Sequence, residues 1–321
     1  MKKPLLVTLA DKNYLEYAKQ IFASAYFNAG WKGDCMLLTH NISERDLKWF
    51  RQKGIKIYHC DPIILQKTIG SKKIVTYSRF YLFKEKFKCW SHVIYFDVDI
   101  IIRASLDNLL KVKSFAVAPP IVGSKLSDYF NNSKKLLDYD LSSEVFCDGF
   151  FVFNTNIISS TTFNDLIDLV KKFEPLAKKN CDDQGFMNLF FYQKWEKLSP
   201  IYHIYIENGK NQWRIANQDI QGIVIHLIGG KKPWERNSDF FNEWQSNYLK
   251  TDLIDLKKIS VGNKWSHMKI LFHSHYLNFK ASTWYDYVWQ KYFKLLKFVE
   301  KNFPQFFKML KRAKLKICRG V

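Results

Sequence analysis

The chain has 321 residues, of which 47% are hydrophobic and 17% aromatic, a composition that excludes an intrinsically disordered protein. Its formal net charge of +20 favours an anionic partner: a phosphorylated substrate, a membrane surface or a nucleic acid. No apolar run reaches the roughly 18 residues of a membrane-spanning helix, and the short apolar run before Asp11 does not fit a signal peptide. We therefore expect a cytoplasmic protein, either free or peripheral on the cytoplasmic face of a membrane.

The first hundred residues alternate between strand-like and helix-like segments. Helices are predicted over residues 14–28, 43–52 and 76–87, the first two ended by Gly30 and Gly54. Strands are predicted over residues 5–9, 35–38, 55–58 and 93–96. This alternation predicts an α/β fold with a mainly parallel sheet.

Beyond residue 99 the pattern is less regular. Strands are predicted over residues 115–118, 150–153 and 223–227, and helices over residues 163–173 and 183–195. The polar stretch 124–143 predicts a mobile loop. The six cysteines form no C-x-x-C pair, so we expect free thiols in a reducing compartment rather than a zinc site.

Two acidic residues, Asp97 and Asp99, follow the apolar run 93–96. Alternate side chains of a strand share a face, so the two carboxylates can bind one hard cation, or one can bind the metal and the other a sugar hydroxyl. An acid pair at the end of a strand can instead belong to a surface turn or a helix cap, which is an alternative to the metal site. A phosphotransferase of the haloacid dehalogenase type also has an acid pair after an apolar strand. In that class the pair follows an early strand, and residues such as Ile100 and Ile101, which come after the pair in this chain, are not expected there.

A second group of polar residues, His226, Gly229 and Lys232, follows the apolar run 223–225. A neutral imidazole can complete a metal shell begun by two carboxylates. Glycine lets the backbone approach a phosphate closely, and lysine supplies a positive charge for a diphosphate. Together these residue types indicate a site for a metal and a diphosphate, although a lone histidine in an apolar strand can also be a core residue.

The motif His226-x-x-Gly229-x-x-Lys232-Pro233-Trp234, preceded by Asp97-x-Asp99, resembles glycosyltransferase family 8, the family of glycogenin and bacterial lipopolysaccharide galactosyltransferases. The resemblance covers roughly residues 4–245. Other stretches are similar to family segments in the same order: residues 10–14, 76–79, 146–149 with Asn154, and 183–188.

The resemblance implies a single nucleotide-binding GT-A type domain in residues 1–250. It also implies a metal-dependent transferase that moves a hexose from a UDP-sugar to a hydroxyl of a glycan, glycolipid (lipid-linked) or protein acceptor, with retention of anomeric configuration. The cofactor would be Mn²⁺ or Mg²⁺, held by Asp97, Asp99 and His226. The residues implied to bind the nucleotide and donor are Leu9, Ala10, Asp11, Asn13, Tyr14, Arg79, Asp97, Val98, Gly229 and Lys232.

The resemblance further implies catalytic roles for Asp183, Gln184 and Asp148. Asp183 would bind donor-sugar hydroxyls, and Gln184 would lie beside the anomeric carbon. The sequence departs from the family pattern at three positions: Cys147 replaces an asparagine, Asp148 a small residue, and Gly185 the second aspartate of an Asp-Gln-Asp motif. These three changes lie in the predicted sugar site. The alternative is therefore that the chain is a non-catalytic sugar-nucleotide-binding or lectin-like protein with a transferase fold.

The C-terminal part of the chain, residues 251–321, is predicted to be a helical extension. Residues 291–321 contain ten Lys or Arg and one acid, interleaved with aromatic and aliphatic residues, and Pro304 divides them into two short helices. This pattern suits a helix at the surface of an anionic membrane; a helix packed on the domain with a solvated basic face is the alternative. Without a recognised nucleic-acid motif, we expect no nucleic-acid partner.

Overall fold

The computed structural model describes residues 2–63, 75–118, 124–179, 181–207, 209–211, 216–258, 262, 268–270 and 272. Residues up to Leu271 form one compact unit. The predicted C-terminal helices and their basic segment lie outside the described residues. Within the described part of the chain, no helix has both the length and the apolar character needed to cross a membrane.

Strands and helices alternate along the described part of the chain. The strands are β1 (Leu5–Ala10), β2 (Asp34–Thr39), β3 (Lys56–His59), β4 (His92–Phe96), β5 (Ile100–Ile102), β6 (Phe115–Val117), β7 (Phe150–Asn154), β8 (Trp195–Lys197), β9 (Ile204–Glu207), β10 (Lys210–Asn211) and β11 (Val224–Ile228). The α-helices are α1 (Leu15–Ser24), α2 (Glu44–Gln52), α3 (Leu126–Tyr129), α4 (Thr162–Phe173), α5 (Asp183–Phe190) and α6 (Phe241–Tyr248).

The larger sheet has seven strands in the order β3-β2-β1-β4-β7-β6-β8. β1 pairs in parallel with β2 and β4, β2 pairs in parallel with β3, and β7 runs antiparallel to β4 and β6. All five residues of the central strand β4 are buried, as expected of a strand covered on both faces. The predicted α/β fold with a mainly parallel central sheet is therefore confirmed.

A second, smaller sheet has the strand order β10-β9-β11-β5. β5 begins directly after Asp99 and pairs antiparallel to β11, with His226 opposite Ile100. β11 pairs in parallel with β9, with His226 opposite Tyr205. Neither β5 nor β9 was predicted from the sequence, yet these two pairings decide which side chains surround His226.

The predicted starts and ends of the first helices are confirmed. The Ser43 hydroxyl caps α2 by accepting a hydrogen bond from the Asp46 N–H at 3.3 Å, and Gly54 follows the helix with a φ of 78°. α1 continues into a π-helical turn, Ala25–Ala29, and this turn ends at Gly30 with a φ of 64°. Left-handed backbone of this kind favours glycine because other residues place a Cβ atom against the carbonyl oxygen.

Three predicted elements need correction. The helix over residues 76–87 is a pair of 3₁₀ helices, Thr76–Phe83 and Glu85–Cys89. The helix over residues 183–195 ends at Phe190, because Gln193 adopts a φ of 56° and turns the chain into β8. The loop over residues 124–143 contains α3 and a 3₁₀ turn.

That loop is held to the domain by three apolar side chains: Leu126, Phe130 and Leu136 are each at most 2% exposed. Main-chain bridges also join Lys125 to Glu144 and Phe130 to Ala177. The polar residues of the stretch lie between these apolar anchors, which explains why its composition predicted a mobile loop.

We predict that Ile94→Ala in β4 lowers the free energy of unfolding by about 2–5 kcal/mol, because Ile94 is fully buried and its truncation leaves a cavity in the central strand. Urea denaturation followed by tryptophan fluorescence measures the loss. Leu137→Ala is the matched control: Leu137 is 82% exposed, and its truncation should change stability by less than about 0.5 kcal/mol. Equal losses in the two variants would contradict the assigned core.

Candidate active site

The short segment between β4 and β5 carries Asp97 and Asp99 at the carboxyl end of the central strand. The Asp97 N–H donates to the Gly149 carbonyl at 2.8 Å, and the Leu227 N–H donates to the Asp99 carbonyl at 3.2 Å. These main-chain bonds attach the segment to β7 on one side and to β11 on the other. The two aspartates are thus held between the two sheets.

Asp97, Asp99 and His226 come together in space. Each offers one possible ligand atom, and these atoms all lie within 4.8 Å of one another. The His226 Nε2 atom is 3.1 Å from Asp99 Oδ1, and the Lys232 ammonium donates to Asp99 Oδ2 at 2.6 Å. Two carboxylate oxygens and one imidazole nitrogen form a donor set that suits Mn²⁺ or Mg²⁺.

Neighbouring charges outweigh burial at Asp99 and His226. Burial raises the pKa of Asp99, but His226 and Lys232 outweigh it and hold that pKa below its ordinary value. Burial likewise lowers the pKa of His226, but the Asp99 carboxylate and the Cys147 thiol raise it to about 10. In the metal-free protein, the Asp99 carboxylate is therefore neutralised by a protonated imidazole and by an ammonium group.

Because Gly149 has no side chain, it makes room for the cluster of Asp97, Asp99 and His226. A Cβ atom at this position would lie 2.4 Å from His226 Cε1 and 2.8 Å from Asp97 Oδ2, closer than atoms can approach. Glycine is required here because the metal-ligand candidates pack directly against its backbone.

A second cluster surrounds Arg79, whose side chain is 5% exposed. Its guanidinium lies 2.7 Å from Asp183 Oδ2, 3.0 Å from Asp148 Oδ1 and 3.3 Å from Asp97 Oδ1. Its carbon Cζ also lies 4.8 Å from the ring centre of Tyr95, whose hydroxyl donates to Asp97 Oδ1 at 2.7 Å. One buried arginine therefore joins three of the predicted site carboxylates.

Burial and charge act against each other in this cluster. Burial opposes the charge of Arg79, but Asp148 and Asp183 hold the pKa of the guanidinium well above its ordinary value. Burial raises the pKa of Asp97, and raises that of Asp148 much further, although Arg79 opposes both shifts. Asp148 Oδ2 is buried without a hydrogen-bond partner among the described residues, so this atom can take a proton or meet a substrate hydroxyl.

The predicted uridine-binding turn follows β1, whose last residues Leu9 and Ala10 are buried. Asp11 accepts a hydrogen bond from the Asn13 N–H at 2.9 Å, which shapes the turn, and Tyr14 is 41% exposed. The Tyr14 ring packs edge-on against Trp234 with ring centres 6.1 Å apart. The turn and the loop after β11 thus meet, although 220 positions separate Tyr14 from Trp234 in sequence.

Gln184 and Gly185 lie in the first turn of α5. The Gln184 amide donates to the Tyr129 hydroxyl. A Cβ atom on Gly185 would lie 2.6 Å from Cys181 Sγ and 3.2 Å from Tyr129 Cβ. This chain therefore has no room for the second aspartate of the family motif, and the departure at residue 185 has a steric cause.

Sequence reasoning missed two residues next to the site, His203 and Tyr205. His203 is fully buried, and its Nε2 atom lies 2.8 Å from His226 Nδ1. The Tyr205 hydroxyl lies 2.9 Å from the other ring nitrogen of His203. The signal that could have found them is the run 201–206, Ile-Tyr-His-Ile-Tyr-Ile, which has the composition of a buried strand.

The family model of glycosyl transferase family 8 matches residues 5–238. The chain belongs to glycosyl transferase family 8. The match includes both aspartates of the segment after β4 and the whole loop from His226 to Trp234. The resemblance stated from the motifs is therefore confirmed over most of the chain.

One curated glycosyltransferase similar to this chain is considerably longer than the chain. Glycosyltransferase GlyB from Streptococcus pneumoniae serotype 4 (strain ATCC BAA-334 / TIGR4) is 24% identical over an alignment of 238 positions that covers 66% of this chain and 54% of GlyB. The chain thus spans about half the length of this curated relative.

Solved glycosyltransferases share the fold. The apo structure of the bifunctional glycosyltransferase WbbM gives a TM-score of 0.59 at 18% identity, covering 84% of this chain and 51% of WbbM. Galactosyltransferase LgtC, solved with donor and acceptor sugar analogues, gives 0.56 at 14% identity, covering 83% of this chain and 99% of LgtC. The predicted GT-A type fold of this family 8 chain is therefore confirmed.

We predict that Arg79→Met lowers the free energy of unfolding by about 3–5 kcal/mol, because it leaves buried carboxylates without their cation. Urea denaturation measures the loss. Arg51→Met is the matched control, since Arg51 pairs with Glu44 at 2.7 Å on the surface, where an ion pair contributes little. An Arg79 variant as stable as the Arg51 variant would contradict the assigned role of the buried cluster.

Proposed function

We propose that this chain is a metal-dependent, retaining glycosyltransferase that moves a hexose from a UDP-sugar to a hydroxyl of a glycan, glycolipid or protein acceptor. The observation that carries the proposal is the meeting of Asp97, Asp99 and His226 within 4.8 Å, beside Lys232, in a family 8 fold. A solved galactosyltransferase of similar fold, LgtC, binds donor and acceptor sugar analogues, which supports the substrate class.

The donor set fits the metal. Two carboxylates and an imidazole are ligands that Mn²⁺ accepts, while Mg²⁺ prefers the oxygens. For a cation to bind there, His226 would lose the proton on the Nε2 atom that faces Asp99, and Lys232 would be released from Asp99. When bound, the cation supplies electrostatic stabilisation of the negative charge that develops on the leaving diphosphate.

The nucleotide lies, in this proposal, between the turn after β1 and the loop after β11. The uracil and ribose bind to Asp11, Asn13 and Tyr14, next to the backbone of Leu9, Ala10 and Val98.

The diphosphate lies near the loop after β11. Gly229, whose φ is 59°, lets the main chain approach the diphosphate, and Lys232 stabilises the negative charge of the diphosphate. The ring contact between Tyr14 and Trp234 supports this arrangement because it brings the two loops to one place.

Asp148 and Asp183 orient the donor sugar by accepting hydrogen bonds from its hydroxyls, and Gln184 lies beside the anomeric carbon. Arg79 fixes both carboxylates, so its part in donor binding is to position these acceptors. Gln184 is a weak nucleophile, which favours attack by the acceptor hydroxyl on the same face that the diphosphate leaves. The bond to the acceptor oxygen forms, the bond to the phosphate oxygen breaks, and the hydroxyl proton passes to the leaving phosphate.

We expect Asp97→Asn and Asp99→Asn to abolish sugar transfer and Mn²⁺-dependent UDP binding, because each replaces a charged ligand with a neutral one. Hydrolysis of UDP-sugars and calorimetric titration with UDP, with and without Mn²⁺, measure the two effects. Asp168→Asn is the matched control, since Asp168 is an exposed aspartate paired with Lys171, and it should behave as wild type. Unchanged turnover in either site variant would refute the proposal.

The alternative, a non-catalytic sugar-nucleotide-binding protein, is motivated by the departures at Cys147, Asp148 and Gly185. A screen of UDP-glucose, UDP-galactose and their N-acetyl forms with Mn²⁺ separates the two. We expect slow hydrolysis of at least one donor, since water can replace the acceptor. Binding of UDP without turnover of any donor would favour the alternative.

Association with an anionic membrane surface stays a prediction from the basic C-terminal residues. Deleting residues 284–321 should release the protein from anionic vesicles and keep donor hydrolysis, because the positive charge concentrated there is lost. Vesicle sedimentation at low salt measures binding. Equal binding by the full chain and the truncated chain would contradict the prediction.

A further inference from the structure

We propose that Cys147, His203 and His226 form a second metal site, selective for a thiophilic ion such as Zn²⁺, and that this site competes with the two aspartates for His226. The Cys147 sulfur and one ring nitrogen of each histidine lie within 4.8 Å of one another. His203 immediately precedes β9, His226 lies on β11, and Cys147 lies just before β7. Three separate segments thus supply the three ligand atoms.

The donor chemistry differs from that of the neighbouring aspartate site. A thiolate and two imidazoles are preferred by Zn²⁺ and Co²⁺, whereas Mn²⁺ and Mg²⁺ prefer carboxylate oxygens. Both histidines are at most 4% exposed, and Cys147 is half-buried, which leaves a side from which an ion and a water ligand can enter. A three-ligand site with one open position is a common arrangement for zinc.

Tyr205 prepares His203 for this role. Its hydroxyl lies 2.9 Å from His203 Nδ1 and 3.5 Å from the Ala118 carbonyl. When Nδ1–H donates to Tyr205, the hydroxyl can donate onward to Ala118, and the lone pair of His203 is on Nε2, the nitrogen that faces His226. Metal-binding histidines commonly donate their second N–H to an outer partner in this way.

The change needed to admit an ion is small. His203 Nε2 and His226 Nδ1 lie 2.8 Å apart and are joined by one hydrogen bond, in rings inclined by only 8°. Two nitrogens at about 2.0–2.1 Å from a tetrahedral Zn²⁺ are about 3.3 Å apart. To hold the ion in place of the proton between them, the two nitrogens therefore separate by about half an ångström, and the rings turn so that both lone pairs point at the ion.

The two sites compete for His226, because each would bind a different nitrogen of its imidazole ring. His226 Nε2 faces Asp99, and Nδ1 faces His203. A neutral imidazole has a single ring nitrogen with a free lone pair, so a metal on Nδ1 leaves the proton on Nε2. This step rests on the proposed function, whereas the thiolate site itself does not depend on it.

Titration of the full chain with Co²⁺ tests the site without any activity measurement, because a thiolate ligand gives a charge-transfer band in the near ultraviolet. We expect the band in wild type and in Asp97→Asn, and its loss in Cys147→Ser. Cys89→Ser is the matched control, because Cys89 is the exposed thiol among the described cysteines, and it should keep the band. Tyr205→Phe keeps the ring and should weaken Co²⁺ binding about 10-fold.

Competition is measured by electron paramagnetic resonance of free Mn²⁺. Zn²⁺ should displace bound Mn²⁺ from wild type at a lower concentration than from Cys147→Ser, because only the aspartate site is left in the variant, and there Zn²⁺ competes with Mn²⁺ directly. No band in wild type, or a band kept in Cys147→Ser, would overturn the thiolate site even if Asp97 and Asp99 bind Mn²⁺ as proposed. Conversely, a Co²⁺ charge-transfer band in a protein that does not bind Mn²⁺ would support the second site and contradict the proposed metal-dependent function.

Discussion

Four largely buried carboxylates lie at one edge of the central sheet, and the surrounding structure has to neutralise them. An unpaired buried ion costs several kcal/mol, so each carboxylate needs a cation or a proton. Arg79 forms ion pairs with Asp97, Asp148 and Asp183, while His226 and Lys232 form ion pairs with Asp99. The 3₁₀ helix that carries Arg79, together with β11 and the loop after it, brings these cations to the carboxylates.

The same balance connects structure with chemistry. The cations that neutralise Asp99 in the metal-free protein are the groups that a bound metal and diphosphate would use. His226 would become a ligand, and Lys232 would become free to meet phosphate oxygens. Arg79 differs because its contacts are deep in the domain; in the proposed function it would act on the donor through the aspartates that it contacts. His226 also faces His203 and Cys147, so its second nitrogen belongs to a different set of donors.

Sequence patterns predicted the first half of the fold well. β1 to β4, α1 and α2 have clear apolar periodicity and clear end signals such as Ser43 and Gly54. In the second sheet, β5 was missed because it has only three residues, Ile100–Ile102, too few for a periodic pattern. β9 was missed although the run 201–206 that contains it has the composition of a buried strand. The helix predicted over residues 183–195 was too long because the apolar residues after Phe190 pack as a turn and a strand.

The sequence by itself determined the family and the types of group in the site, because carboxylates, an imidazole and an ammonium at set spacings are properties of residue order. Tertiary structure alone decided which of these groups meet. The register that sets His226 opposite Ile100 and Tyr205 arises from strands far apart in the chain, and so does the place of Arg79 among three aspartates. Such meetings depend on packing between distant segments, which no local pattern of residues encodes.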